Sequence, residues 1–378
     1  MNQKMTLKDI AQIAGVSTSA VSMALKNHPR IGIQTKNRII KIAEKWHYQP
    51  NHIARSLKSK RSGTFGLVIT NIMNPFYPEL AKGIEDKAME LGYNIILCST
   101  NYDADRQKYL INTLRNKGVD GIIFSSAEIN DVNIKPLVAD GFPFVLVNRR
   151  IRNKKLDQRI DFVVVDNTAG GGMAIEHLYR LGHRRIAIIT GSLATSTALE
   201  RTEGARKTLL EHGLVAEPDL MKVCNFSKER AYEATFELLS LPAPPTAIFA
   251  ENDYMALGVR DALLDGGLRI PEDMALVGFD DIEACAIKGV ELTTISQKKY
   301  DMGAQAVTFL VEKIEHTGSH LKQMMLSPEI MIRKSCGYAQ SGGYTDSDLR
   351  LASPAMKSTR ARDPAENRPK GKNAVVEN

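Results

Sequence analysis

Near the start of the chain, the side chains with the most chemistry to offer are small and hydroxylic. Ser17, Thr18, Ser19 and Ser22 fall within one short stretch, with Lys8, Lys26, Arg30 and Lys36 around them. Short hydroxyls let a backbone approach a polyanion closely and bond phosphates or base edges, while the cations neutralise phosphate charge. A second candidate set is Asn71-Ile-Met-Asn74-Pro-Phe76-Tyr77, which offers amides and aromatic faces. Gly170-Gly171-Gly172 resembles a phosphate-binding turn only superficially, because it lacks both Gly-x-Gly-x-x-Gly and a Lys-Ser/Thr ending. Cys98, Cys224, Cys285 and Cys336 are too scattered for zinc or redox pairs, and no His-Glu-x-x-His is present. No nucleophile–base pair stands out, and Asp280-Asp281 suits ligand binding and a helix start better than catalysis. Neither metal, cofactor nor enzymatic activity is expected.

The elements that position the hydroxyls follow from spacing. Leu7, Ile10, Ala11 and Ala14 repeat at helical intervals, with Thr6 as N-cap and Asp9 three residues on. Gly15-Val16 breaks this helix and Ser17 can cap the next, whose inward stripe is Val21, Ala24 and Leu25 and whose outward face carries Thr18, Ser19, Ser22 and Lys26. A third helix, beginning near Thr35, is expected to bury Ile39, Ile42, Ala43 and Trp46. Two helices joined by a short Gly-containing turn, then a third, describe a helix-turn-helix. Charge agrees: residues 1–62 hold twelve Lys/Arg against two acids, whereas the chain of 378 residues is only +7 overall. The other 316 residues therefore sum to −3, and a basic module on a mildly acidic body is the footprint of nucleic-acid binding.

From Thr64 onward, apolar runs alternate with amphipathic helices. Phe65–Ile69, Asn94–Cys98, Gly121–Phe124 and Phe144–Val147 read as buried strands, with helices over Leu80–Leu91 and Arg106–Asn116. A second block repeats the plan with strands Arg185–Ile189, Ala247–Ala250 and Met274–Val277 and helices near Glu200–Glu211, Lys228–Leu239 and Tyr254–Asp265. Such alternation implies parallel sheets covered on both faces, and two blocks imply two lobes. Residues 337–378 are polar and rich in Ser, Gly, Pro and Lys, the composition of a disordered tail. The polar opening Met1–Lys8 and the absence of a long apolar run point to a cytoplasmic protein.

The string Thr6-Leu-Lys-Asp-Ile-Ala…Ala14-Gly-Val-Ser…Val21-Ser resembles the DNA-binding head of the lac repressor family, and the likeness extends over most of residues 6–336. The resemblance implies an all-α helix-turn-helix head on an α/β, periplasmic-binding-protein-like body of two doubly wound parallel-sheet lobes. The implied boundaries are 1–48 for the head, 49–61 for a hinge and 62–336 for the body. Lobe one would take about 62–161 and 292–323, and lobe two 162–291 and 324–336. It implies DNA contacts from Thr6, Ser17, Thr18, Ser19, Ser22, Met23, Asn27 and Thr35, and from Asn51, Ala54 and Leu57 in the hinge, where Leu57 would wedge into the minor groove. It further implies that Asn74, Phe76, Arg201, Phe226, Asn252 and Asp280 bind a small molecule, a sugar by their chemistry.

Two departures stand out. Met23 occupies a place where the family commonly has Arg, so the operator sequence is not transferable. Asn148-Arg149-Arg150 stands where an Asp often follows the strand, which leaves an acidic ligand open. The resulting expectation is a homodimer that binds near-palindromic operator DNA, without a membrane partner, under the control of its ligand. A solute-binding receptor and a sugar-modifying enzyme are the alternatives.

Overall fold

The computed structural model describes residues 5–25, 27–46, 48, 61–316 and 320–338. Helix α1 (Leu7–Ala14) opens with a capping box. Asp9 N–H donates to Thr6 Oγ1 at 3.3 Å, and Thr6 N–H donates to the Asp9 carboxylate at 2.8 Å. The helix ends at Gly15, whose φ of 61° is costly for any residue with a Cβ. Ser17 Oγ then accepts from Ala20 N–H at 3.1 Å and starts α2 (Thr18–Leu25). Helix α3 (Ile33–Lys45) closes a core of Ile10, Ala11, Ala14, Val21, Ala24, Ile39 and Ala43. It begins at Ile33, two residues before Thr35, with Gly32 as N-cap, and Ile42 is only half-buried. Trp46 was expected inside but is 53 % exposed, because it lies past the last helical turn as the C-cap.

The body runs β1 (Thr64–Ile69), α4 (Tyr77–Glu90), β2 (Asn94–Ser99), α5 (Ala104–Asn116), β3 (Gly121–Phe124), α6 (Lys135–Ala139), β4 (Phe144–Val147), α7 (Lys154–Asp157) and β5 (Phe162–Val165). It continues through α8 (Asn167–Arg180), β6 (Ile186–Thr190), α9 (Ser196–Glu211), β7 (Met221–Val223), α10 (Lys228–Leu239), β8 (Ala247–Ala250), α11 (Asp253–Asp265) and β9 (Ala275–Asp280). Last come β10 (Thr293–Ser296), α12 (Lys299–Glu315), β11 (Gln323–Leu326) and β12 (Glu329–Met331). Two six-stranded sheets result, ordered β11-β5-β4-β3-β1-β2 and β12-β10-β9-β8-β6-β7. All pairs are parallel except β10 with β12. In the first sheet β1 lies between β2 and β3, with Phe65 opposite both Ile95 and Gly121. The central strands are apolar at nearly every position because helices cover both faces.

Sheet membership departs from the expected division at three places. Strand β5 joins the first sheet beside β4, so lobe one runs to 165 rather than 161. Strand β10 pairs with β9 in the second sheet, although residues from 292 were expected to return to lobe one. What returns is α12, which packs along α4, and β11, which pairs with β5 out to Leu326. The chain therefore passes between lobes after β5, after β10 and after β11.

Helices α8 and α9 meet closely at the glycine triplet. A Cβ on Gly171 would lie 2.1 Å from the Arg201 carbonyl oxygen, so the triplet serves close packing. The residues after the last strand are also less free than expected. Gly337 caps a short 3-10 turn, and the Tyr338 ring lies 6.1 Å from His177, so the expected tail boundary at 337 falls too early. Residues 339–378 lie outside the described part.

Candidate effector cleft and nucleic-acid interface

In open parallel sheets, ligands sit beyond the carboxyl ends of the strands, where loops diverge at a reversal of strand order. Each sheet reverses order once, next to β1 and next to β6, and the carboxyl ends of the two sheets frame one cleft. The turn after β1 supplies Asn74, Phe76 and Tyr77, and the turn after β4 supplies Asn148 and Arg149. From the other lobe come Thr197 and Arg201 on α9, Phe226 after β7, Asn252 after β8 and Asp280 ending β9. All six residues expected to hold a small molecule thus line the same cleft.

Local structure accounts for their placement. Asn74 Oδ1 accepts from Phe76 N–H at 3.0 Å, and Asn252 Oδ1 accepts from Met255 N–H at 2.8 Å as the N-cap of α11. Each amide carbonyl is therefore spent on the turn or helix start, and the NH₂ group is what each can present to a ligand. The structural and ligand-binding readings of these residues coexist. Phe226 sits at φ 60° and Asp280 at φ 125°, conformations that side chains with a Cβ avoid and that concentrate at functional sites. Tyr102, from the loop after β2, stacks against Phe226 at 6.5 Å and brings an aromatic contact from lobe one to a residue of lobe two.

Arg201 is 2 % exposed and holds the lobe-two side together. Its Nε donates to Asn167 Oδ1 at 2.9 Å, a terminal nitrogen donates to the Glu251 carbonyl at 2.5 Å, and Asp280 lies 3.5 Å away. Its guanidinium also covers the Phe279 ring at 3.6 Å. Burial pulls the Arg201 pKa below its ordinary value, against the attraction of Asp280 and Glu251. Burial raises the Asp280 pKa, opposed by Arg201. Behind them Glu251 accepts from the Thr190 and Thr202 hydroxyls at 2.5 Å each, and burial still pushes its carboxyl up to about 7. Lys299, 2 % exposed, donates to the Asp280 and Asp281 carbonyls at 2.5 and 2.8 Å and pairs with Glu79 of α4 at 2.9 Å. It thereby ties the floor of the cleft in lobe two to a helix of lobe one.

On the head, Thr18 and Ser19 are exposed, while Ser22 and Met23 on the same helix are half-buried. Ser17 and Thr6 are exposed, but their oxygens cap α2 and α1. Asn27 stands at φ 59° and accepts from the Lys36 ammonium, so that lysine is held beside α2. Thr35 is half-buried in the first turn of α3. Asn51, Ala54 and Leu57 lie outside the described residues. Among the described residues no group of His, Cys, Asp and Glu is arranged to hold a metal, and no helix is long and apolar enough to cross a membrane.

Comparison with known proteins accounts for both halves. Residues 6–51 match the family described as bacterial regulatory proteins, lacI family. Residues 62–335 match the periplasmic binding proteins and sugar binding domain of the LacI family. The chain belongs to the LacI family. This LacI-family protein is a DNA-binding transcription regulator and not an enzyme. It is 33 % identical to the HTH-type transcriptional repressor PurR of Aliivibrio salmonicida over 87 % of this chain and 98 % of that protein. It is 34 % identical to the repressor of the same name from Haemophilus influenzae strain PittEE over 87 % of this chain and 98 % of that one. Among solved structures, it superposes on a transcriptional regulator CelR–cellobiose complex with a TM-score of 0.68 at 27 % identity, covering 88 % of this chain and all of that one. The lac repressor dimer bound to operator and the anti-inducer ONPF shares its fold, with a TM-score of 0.78 at 24 % identity over 88 % of this chain and 99 % of that one.

Several groups of the regulator's cleft escaped sequence reasoning. Thr197 and Tyr102 occupy no recognisable pattern, Glu251 reads as the polar end of an apolar run, and Lys299 resembles any helix-opening lysine. Arg149 was visible only as one of two cations following a strand.

Proposed function

We propose that this LacI-family regulator binds near-palindromic operator DNA as a homodimer, and that a small polyhydroxylated ligand of carbohydrate type in the cleft controls that binding. The observation that carries the reading is the convergence of Asn74 and Phe76 from one lobe with Arg201, Phe226, Asn252 and Asp280 from the other. A ligand touching both sets can bind the closed arrangement of the lobes better than the open one, and only such differential affinity shifts an equilibrium. The basic head supplies the output: Thr18 and Ser19 present hydroxyls, Thr6, Ser17, Ser22, Met23, Asn27 and Thr35 flank them, and the lysines and arginines meet phosphate. Asn51, Ala54 and Leu57 form the hinge in this reading, with Leu57 inserted at the operator centre. The site of action is the cytoplasm, and no cofactor takes part.

Footprinting of the full chain on its own upstream DNA tests the proposal. A discrete protected site with two-fold symmetry is expected, whose protection changes when a carbohydrate ligand is added. Leu57→Gln should weaken specific protection by roughly tenfold or more, the loss of one apolar wedge per subunit, while ligand binding persists. Diffuse protection, or equal protection by the Leu57→Gln variant, would remove the operator-centre assignment.

A further inference from the structure

We propose that the effector carries a negatively charged group, a carboxylate or phosphate on a polyhydroxylated frame, and that Arg149 receives it. The inference rests on the cleft being the effector site and adds the charge of the ligand.

The cations around the cleft are unequal. Arg201 is engaged by Asn167, the Glu251 carbonyl and Asp280. Arg150 pairs with Glu200 at 2.8 Å, and Lys299 pairs with Glu79 at 2.9 Å. Arg149 lines the cleft and is 4 % exposed, yet its Nε is buried without a hydrogen-bond partner. Among the described residues no acid forms an ion pair with it, and its guanidinium instead faces the Phe226 ring at 5.3 Å. Taking a cation out of water is costly unless a counter-charge restores it, and among the described residues none pairs with Arg149. A ligand that brings the counter-charge recovers that cost only in the bound state, so Arg149 selects for anions. A planar fork of donors suits carboxylate and phosphate oxygens equally.

Three more buried polar atoms lack partners: Ser125 Oγ, Asn148 Oδ1 and Gln297 Oε1. They follow β3, β4 and β10, on the carboxyl edges that frame the cleft, and Asn148 lines it directly. An amide oxygen is an acceptor and calls for a hydroxyl donor, so the same ligand combines hydroxyls with its acid. At position 148 an aspartate would stand next to Arg149 and supply the missing charge, whereas the asparagine present leaves that charge to the ligand.

The experiment measures melting shifts and calorimetric affinities of the full-length protein with five- and six-carbon aldonates, uronates and sugar phosphates, each beside its neutral parent sugar. Sulfate and inorganic phosphate at matched ionic strength serve as bare-anion controls. At least one acid should bind roughly tenfold or more tightly than its parent, and the carboxylate and phosphate arms tell which anion is used. Arg149→Gln should erase that advantage, and Arg149→Lys should restore part of it. Asn148→Asp, which keeps Arg149, should also erase it. Equal binding of acid and parent, no binding by any acid, an acid affinity unchanged in Arg149→Gln, or bare anions matching the acids (an adventitious ion only) would each overturn the inference. Operator affinity separates the two claims. A neutral sugar that alters it while the acids do nothing leaves the effector cleft standing and sinks Arg149. An acid that binds through Arg149 without altering it sinks ligand control by the cleft, and with it the acid as effector, and leaves Arg149 only as an anion-binding residue.

Discussion

At the scale of single residues, the cleft is a set of buried charges whose protonation and pairing matter more than their number. Arg201 touches Asn167 of α8, the backbone of Glu251 and the Asp280 carboxylate together. Arg201→Ala should abolish the ligand-induced rise in melting temperature. It should also lower stability by about 3–5 kcal/mol, because Asp280 is left buried without its cation. A variant that still responds normally to ligand in a thermal melt would take Arg201 out of the site. Glu251 carries a pH signature. Its folded pKa of about 7 lies above the ordinary 4.5, so the folded state holds the proton more tightly than the unfolded one. The group's contribution is complete below pH 4.5 and is lost as pH rises toward 7, by about 3 kcal/mol. Glu251→Gln, which cannot ionise, should flatten this part of the profile, so the melting difference between pH 5 and pH 7.5 should shrink relative to the parent protein. Identical profiles would show that Glu251 does not titrate in this range.

At the scale of elements, the site depends on how closely two helices approach. α9 carries Arg201 and Thr197, and its distance from α8 is set where Gly171 meets the Arg201 carbonyl. Gly171→Ala forces the helices apart or strains the contact, at a cost of roughly 1–3 kcal/mol, and moves Arg201 with α9. Ligand affinity in calorimetry should fall by more than the stability loss alone explains, while the isolated secondary-structure signal in circular dichroism stays the same. Unchanged affinity would mean that α9 tolerates the shift. The helices and strands themselves were largely legible beforehand. Lys228–Leu239, Ala247–Ala250, Gly121–Phe124 and Phe144–Val147 have the same limits in the structure as in the periodicity. The first turn of α4 precedes the expected start at Leu80, and Pro78 suits that opening turn. Trp46 was misplaced because its spacing from Ile42 and Ala43 continues the inward stripe of α3, yet the helix stops at Lys45.

At the scale of the whole molecule, control of the head by the cleft is a matter of linkage. If a ligand changes operator affinity, operator DNA must change ligand affinity by the same factor, of the order of 5–150-fold. Calorimetric titration of ligand with and without saturating operator, beside operator binding with and without saturating ligand, should return equal ratios. Unequal ratios would mean that the ligand acts elsewhere than on a shared equilibrium. Lys299 is placed to take part, since it joins the Asp280–Asp281 turn of lobe two to Glu79 of lobe one.

Taken alone, the sequence settled what depends on near neighbours: the Thr6–Asp9 capping box, the breaks at Gly15 and Ser17, the cationic surplus of the head, and the apolar runs that form strands. With the family likeness it also named six residues of the cleft, because each follows a strand or lies in a motif. Tertiary structure alone decided which sheet β5, β10 and β11 join, since a buried apolar run looks the same in either sheet and only packing across the molecule chooses. It also decided which cations are neutralised. Arg149 and Arg150 are adjacent and chemically alike in the sequence, but Glu200, fifty residues away, reaches only one of them.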